Sequence, residues 1–434
     1  MSFANSFLFP NTAEASGQGH LVLGGCDVTH LAAEFGTPLY VYDEATLRDR
    51  CREFLGEFQR RYPKSAVIYA CKAFINTSLA RLFREEGLGL DVVSGGELAV
   101  AQRVAFPPER IYFHGNNKSR EELEMALDCR IGRVVVDNFH ELALLGRLAS
   151  HRGVVQDVLI RVSPGIDPHT HAYTTTGVLD SKFGFPIQTG QAKEAVGKAM
   201  RERGVRVVGL HFHLGSPIFE MEPFARAMEL TLDFASQEGL PLREISPGGG
   251  FAIAYTRDQR PPSVGEYAQA ITASLESRCR ALGLEPPLLV IEPGRAIVGP
   301  AGVALYRVGA SKDIPGVRRY VAVDGGMGDN IRPALYGSQY EAVVANKMGV
   351  EEGERVTIAG RFCESGDVLL RDVTLPRLEA GDLLAIPAAG AYAPAMASNY
   401  NLAPRPAIVM VADGQARLIR RRETYQDLMS NDLL

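Results

Sequence analysis

A lysine closes the apolar run Ala66-Val67-Ile68-Tyr69-Ala70-Cys71-Lys72. Lysine is among the residue types least often buried without a partner. Lys72, at the end of such a strand, therefore either reaches water or does chemistry. A desolvated amine has a depressed pKa and can form a Schiff base with a carbonyl group. Further along, Gly248-Gly249-Gly250 has the composition of a phosphate cradle, because glycine backbone approaches an anion closely and accepts positive φ. It also suits a tight turn. Glu292, in Glu292-Pro293-Gly294-Arg295, can serve as the carboxylate that keeps a pyridine nitrogen protonated, so that the ring accepts electrons released at Cα. It can equally be a surface residue beside a turn. His211 and His213 share one strand phase. A flat imidazole there can stack on an aromatic group, and either histidine can be a hydrogen-bonded core residue. Metal binding is the weaker choice, since no acid or cysteine ligand lies at a fitting spacing.

Two clusters near the C-terminus add to this set. Arg332-Pro333-Ala334-Leu335-Tyr336 places a guanidinium close to a phenol, a pairing suited to a carboxylate ligand. Cys363-Glu364-Ser365-Gly366-Asp367 sets a thiol beside a carboxylate, which is either an acid catalyst or a small buried residue next to a turn.

The elements that must position these residues follow a regular pattern. From Ser65, apolar β-branched runs alternate with helical stretches: Val67–Cys71, Leu90–Val93, Ile111–Phe113, Val134–Val136, Val158–Val162, Val207–Leu214, Glu244–Ser246 and Leu288–Ile291. Eight strands alternating with helices predict a parallel sheet. The span is close to the roughly 250 residues of a (β/α)8 TIM-type barrel, and a doubly wound open sheet is the structural competitor. In a barrel of this kind, working residues collect at the C-terminal strand ends. Those ends carry Lys72, Asp91, His114, Asp137, Arg161, His211 with His213 and Ser216, the glycine triplet, and Glu292. Beyond Arg295 the helical periods nearly vanish and short β runs appear between Gly and Pro turns, the pattern of an all-β sandwich or barrel domain. The expected division is therefore residues 44–300 for the barrel and 301–434 for the β domain, with residues 1–43 contributing strands to the latter. Residues up to about 20 read as a weakly ordered lead-in.

Composition narrows the function classes. Hydrophobic residues make up 46% and charged residues 22% of the 434, ordinary for a globular protein. A net charge of −5 provides no electrostatic reason to expect nucleic acid or an anionic membrane. The six cysteines form no C-x-x-C pair, which suits a reducing compartment. No leader-like apolar run and no membrane-length segment is evident. These features predict a cytoplasmic protein.

Taken in order, the motifs resemble the fold type III pyridoxal-phosphate decarboxylases of the alanine-racemase fold, and within them the branch that acts on diaminopimelate. The resemblance runs along nearly the whole chain: Y-A-C-K-A at Tyr69–Ala73, D-V-V-S-G-G-E at Asp91–Glu97, and H-T-H with D-S-K-F-G within His169–Gly184. It continues through H-F-H-L-G-S at His211–Ser216, P-G-G-G, E-P-G-R, I-R-P-A-L-Y, C-E-S-G-D, and G-A-Y with S-N-Y-N at Gly390–Asn401. It implies pyridoxal 5'-phosphate held by Lys72, with Asp91, His213, Ser216, Gly249, Gly250, Glu292, Pro293, Gly294, Arg295 and Tyr392 around it. His213 is expected to stack on the ring and Glu292 to meet its nitrogen. Arg295, Arg332, Tyr336, Glu364 and Tyr392 are implied as substrate contacts. Cys363 is implied as the proton donor, entering from the second subunit of a homodimer with shared sites. The implied reaction converts meso-2,6-diaminopimelate to L-lysine and CO2. The alternatives are decarboxylation of ornithine, arginine or carboxynorspermidine on the same fold, an amino-acid racemase, or a non-catalytic regulatory relative. Ala252, Pro217 and Phe74 depart from the family's commoner Gly, Gln and Asn without removing a chemical group.

Overall fold

The computed structural model describes residues 6–167, 179–350 and 352–433. The His169–His171 motif lies outside the described residues. The chain divides into two compact units. One comprises Cys51–Ala252 and Pro261–Gly294; the other comprises the residues up to Arg50, Ile253–Arg260 and the residues from Arg295 onward.

The first unit is a closed parallel barrel. Its strands are β1 (Ser65–Ala70), β2 (Gly89–Val92), β3 (Ile111–Phe113), β4 (Arg133–Val136), β5 (Gln156–Ser163), β6 (Val205–His211), β7 (Glu244–Gly248) and β8 (Leu288–Ile291). Helices including Thr77–Glu85, Gly95–Arg103, Arg120–Asp128 and Phe139–His151 follow them. Closure rests on two non-local ladders: β8 pairs with β1, with Leu289 opposite Ser65, and β4 pairs with β5, with Val135 opposite Leu159. The expected barrel is therefore present and the open sheet is not.

Ile68, Tyr112, Val135, Leu159, Val208 and Val290 form one buried cluster. Each comes from a different strand, so they meet inside the barrel as a packed core rather than a pore. At the N-terminal end the polar groups serve one another. Arg133 donates to Glu244 at 3.0 Å and pairs with Asp157 at 3.3 Å, and the Tyr112 hydroxyl donates to Glu244 at 3.2 Å. This end of a barrel is where residues act for stability, which leaves the opposite end for chemistry.

The second unit is built on a mixed sheet with strand order Val368–Pro376, Gly353–Ala359, Arg318–Val323, Gly302–Ile314, Leu39–Asp43, Ala407–Ala412 and Gln415–Arg420. Leu39–Asp43 lies antiparallel to Gly302–Ile314 and parallel to Ala407–Ala412. All five of its residues are buried.

Three details differ from the sequence reading. From Ser6 onward the N-terminal segment is not a loose lead-in: Leu8 and Phe9 join the buried core with Leu21 and Leu23, and the Asn11 N–H donates to Thr46 Oγ1 at 2.9 Å. The segment is too short to show a period, so its tertiary anchoring left no trace in the pattern. Strand Gln415–Arg420 was not expected because it is an edge strand with no apolar run. Strand β6 ends at His211 rather than Leu214, although the Phe212 N–H still donates to Ser246 O at 2.9 Å. No helix among the described residues is long and apolar enough to cross a membrane.

Candidate active site

Strand β1 ends at Ala70, and Lys72 sits in the 3-10 turn Cys71–Ala73 that follows. The Tyr69 hydroxyl donates to Phe74 O at 2.6 Å and braces this turn from below. Cys71 and Ala73 are buried and Lys72 is exposed, so the lysine is the one member of the turn whose side chain leaves the core. Beside it, the Ala70 N–H donates to Pro293 O at 3.1 Å, and a Cβ on Gly294 would stand 3.0 Å from Ala70 O. Pro293-Gly294 thus lies against the base of the Lys72 turn, and glycine permits the approach.

Glu292 follows β8 and is buried. It accepts a hydrogen bond from Ser246 Oγ at 2.8 Å and another from His211 Nε2 at 3.1 Å, and His114 Nε2 lies 3.5 Å from it. The His114 and His211 rings meet edge to face with centroids 4.9 Å apart. Asp91, on β2, is also buried, and its Oδ1 has no hydrogen-bond partner among the described residues. Two carboxyl groups at one buried end cannot both ionise cheaply. Glu292 has the donors. Burial would raise its pKa, but the His211 and His114 imidazoles and the Ser246 hydroxyl bring it below the usual carboxylate range. The Asp91 pKa is pushed up by burial and by the charge on Glu292. His114, His211 and Glu292 also bring one ligating atom each within 4.8 Å of the others, so the trio meets the spatial requirement for a metal ion.

His213 lies one strand phase beyond His211. The Gly249 N–H donates to its Nδ1 at 3.3 Å, which fixes the ring orientation. Burial, then the Lys72 and Arg161 cations, hold this imidazole neutral. Gly248 has φ +73° and Gly250 φ +106°, a region open chiefly to glycine. A Cβ at Gly249 would stand 2.2 Å from Glu292 O, and one at Gly250 would stand 2.6 Å from Gly215 O. The glycine loop is therefore pressed between the ends of β6 and β8. Ser216, half-buried, follows Gly215 in the same region.

The loop after β3 is held by a buried cation. Lys118 Nζ donates to Gly115 O, Val135 O and Glu141 Oε1 at 2.8, 2.9 and 2.8 Å. This pins the residues directly after His114. The β5 residue Arg161 is buried, with its guanidinium 4.4 Å over the Phe183 ring. Asp137 accepts from the Gly184 N–H at 2.5 Å. The D-S-K-F-G motif is thereby folded onto the ends of β4 and β5.

The second unit carries its own cluster. Arg295 Nη1 donates to the Tyr255 hydroxyl at 2.6 Å, and its guanidinium lies 4.7 Å over the Tyr392 ring. Arg332 lies 4.7 Å over Tyr255 and donates to the Tyr340 hydroxyl. The rings of Tyr255 and Tyr340 pack edge to face at 5.3 Å. Arg295 and Arg332 are both buried, and Arg332 makes no ion pair with a carboxylate among the described residues. Burial would raise the Tyr255 pKa, but Arg295 and Arg332 bring it below the ordinary phenol value. The Arg332 guanidinium, buried among phenols, leaves positive charge for an anionic ligand. Tyr392 adopts φ +67°, a strained conformation for a non-glycine residue of the kind that clusters at functional sites. Tyr336 closes the short helix Arg332–Tyr336 and is half-buried.

Cys363 and Glu364 are exposed on the loop before Asp367. Buried Asp367 sets that loop, accepting from the Met327 N–H at 2.6 Å and the Phe362 N–H at 2.8 Å, and the Tyr400 hydroxyl donates to Glu364. The sequence reading did not single out His114 as a partner of Glu292, nor Ser246, Tyr255 and Tyr340. The signal available for Tyr340 is its place eight residues after Arg332, and for Tyr255 five residues after the glycine triplet.

Residues 45–299 match the family model "Pyridoxal-dependent decarboxylase, pyridoxal binding domain". The chain is 48% identical over 426 residues to the diaminopimelate decarboxylase of Bacillus subtilis, covering 97% of both chains. It is 45% identical to that of Synechocystis, covering 99% of this chain and 94% of the relative. The solved diaminopimelate decarboxylase from M. jannaschii in complex with L-lysine superposes with a TM-score of 0.92 at 36% identity, over 98% of each chain. Identity of this order along the full length, together with the match of the barrel to the family model, establishes that the chain belongs to the diaminopimelate decarboxylase family of pyridoxal-dependent decarboxylases.

Proposed function

We propose that the protein decarboxylates meso-2,6-diaminopimelate to L-lysine, and that the observation carrying this reading is the anionic Glu292 at the end of β8. Its cofactor is pyridoxal 5'-phosphate. The barrel end suits that group. Asp91 Oδ1, His114 Nε2 and His211 Nδ1 are buried polar atoms without partners among the described residues. A Cβ on the glycine loop would strike its neighbours, so only glycine fits where the loop approaches this end of the barrel. When bound, pyridoxal phosphate supplies an electrophilic carbon for the substrate amine and a ring that takes up the electron pair as CO2 departs.

The residues act around that chemistry as follows. Lys72 holds the cofactor and receives or returns a proton at Nζ. His213 would hold one face of the cofactor ring, while Ser216 and Gly248–Gly250 would hold its phosphate. Glu292, kept ionised by its donors, favours a protonated ring nitrogen, which suits decarboxylation better than racemisation. Arg295, Arg332, Tyr336 and Tyr392 take the substrate carboxylates. Two buried guanidiniums favour a substrate with a second carboxylate over ornithine or arginine. Cys363, exposed on its loop beside Glu364, protonates Cα from the second subunit of a homodimer. Six free cysteines support a reducing, cytoplasmic location.

The test is a substrate screen on purified protein supplied with pyridoxal phosphate. CO2 and lysine should appear from meso-diaminopimelate. Release of CO2 from ornithine or arginine, with no lysine from diaminopimelate, overturns the substrate assignment.

A further inference from the structure

Glu292 is hydrogen-bonded by two residues far apart in sequence and approached by a third. Ser246, on β7, donates to Oε1 at 2.8 Å, and His211, at the end of β6, meets Oε2 at 3.1 Å. His114, after β3, stands 3.5 Å from Oε1. His211 and Ser246 are among the most deeply buried polar residues of the chain, at 1% and 0% exposure. An ionised carboxylate offers about four acceptor sites. These contacts occupy one or two on Oε1 and one on Oε2, and leave Oε2 able to face one more donor. A neutral imidazole has a single N–H. His211 Nδ1 has no partner among the described residues, so the geometry places the N–H on Nε2, directed at Glu292. The His114 ring packs against His211 and limits its rotation.

We propose that His211 is a positioning residue. With Ser246 it locks the rotamer of Glu292 and keeps it aimed at the ring nitrogen of the bound cofactor, and its whole effect is transmitted through that nitrogen. This rests on the reading that Glu292 meets the pyridine nitrogen. The reasoning follows from the cost of a buried anion: a carboxylate that loses a donor in a dry site takes up a proton or turns toward another. Either change removes the charge that faces the ring. His211 itself makes no contact that a ring lacking the nitrogen would lose.

The experiment compares two ligands on the apoenzyme: pyridoxal phosphate and its 1-deaza analogue, in which carbon replaces the ring nitrogen. Apparent dissociation constants are read by absorbance titration for the wild type, His211→Phe, His211→Gln and Ser246→Ala. A hydrogen bond to a charged group is worth enough to change affinity about ten- to a hundredfold. The expected result is a loss of that order for pyridoxal phosphate in His211→Phe, with the deaza analogue changed less than about twofold. His211→Gln, which retains a donor, should recover much of the loss. Ser246→Ala also removes the acceptor of the Gly248 N–H at 3.1 Å, so it should weaken both ligands but pyridoxal phosphate more than the deaza analogue, and that difference keeps the test valid should His211→Phe fold poorly. Equal losses for both ligands, or no loss for either, overturn the proposal. A wild type that binds the two ligands equally well overturns the underlying reading of Glu292 instead.

Discussion

Replacing Lys118 by Met should destabilise the protein strongly, and by an amount that depends on pH in a calculable direction. Lys118 and Glu141 are 6% and 2% exposed, and Lys118 makes three hydrogen bonds of 2.8 to 2.9 Å. Removing one partner of a buried pair leaves an uncompensated charge and costs about 3–5 kcal/mol. That is a large share of the roughly 5–15 kcal/mol that holds a typical domain folded. In the intact protein, burial raises the Glu141 pKa and Lys118 opposes the rise. Without Lys118 the folded-state pKa climbs further above the unfolded value. A group raised in this way favours the fold fully below its unfolded pKa, and that contribution is lost as pH rises through the folded pKa. The deficit of Lys118→Met relative to wild type should therefore be smallest at a pH below the ordinary glutamate pKa and grow at a pH well above it. Urea denaturation followed by circular dichroism at the two pH values measures it. The double variant Lys118→Met with Glu141→Leu, which removes both charges, should recover most of the loss. A deficit below about 1 kcal/mol, or one independent of pH, would refute the claim that this pair is a desolvated ion pair.

Three other outcomes follow from the site. Gly249→Ala places a Cβ 2.2 Å from Glu292 O, so the β7 and β8 ends must separate; weakened cofactor binding by equilibrium dialysis, with the fold intact, is the expected result. Arg332→Met should raise KM for a substrate with two carboxylates by about tenfold or more while sparing cofactor affinity, since a charged hydrogen bond is worth about 1.5–3 kcal/mol; steady-state kinetics and the cofactor spectrum separate the two. Mixing inactive Lys72→Ala and Cys363→Ala chains under conditions that exchange subunits should restore roughly a quarter of the wild-type activity, because random pairing makes half the dimers mixed and each carries one intact shared site. No recovery would place Cys363 outside the neighbouring subunit's site.

Much of the barrel was legible because its strands are covered on both faces. Parallel strands of that kind read as continuous β-branched runs, and Ile111–Phe113 and Leu288–Ile291 occur where the pattern put them. The β-rich unit was legible through its Gly and Pro turns. Where the pattern failed, a short or edge segment was involved, as with Leu8 and Phe9 in the core and Gln415–Arg420 at the sheet edge. Such segments are specified by what they touch, and a handful of residues carries too little periodicity to report it.

The sequence by itself determined which residue types stand at each strand end, that eight such ends exist, and that Lys72, the glycine triplet and Glu292 occur at positions a barrel brings to one face. Only the tertiary structure decided what those residues are to one another. Glu292 and its hydrogen-bond partner His211 are 81 residues apart, and Glu292 and Ser246 are 46 apart. That the Glu292 pKa falls while that of Asp91 rises depends on which carboxyl finds donors in a buried space. Arg332 was a candidate carboxylate contact in the sequence, but its packing over Tyr255, 77 positions earlier in the chain, was not. The cost of a buried charge depends on its neighbours in space, and the order of residues along the chain does not contain those neighbours until the barrel closes.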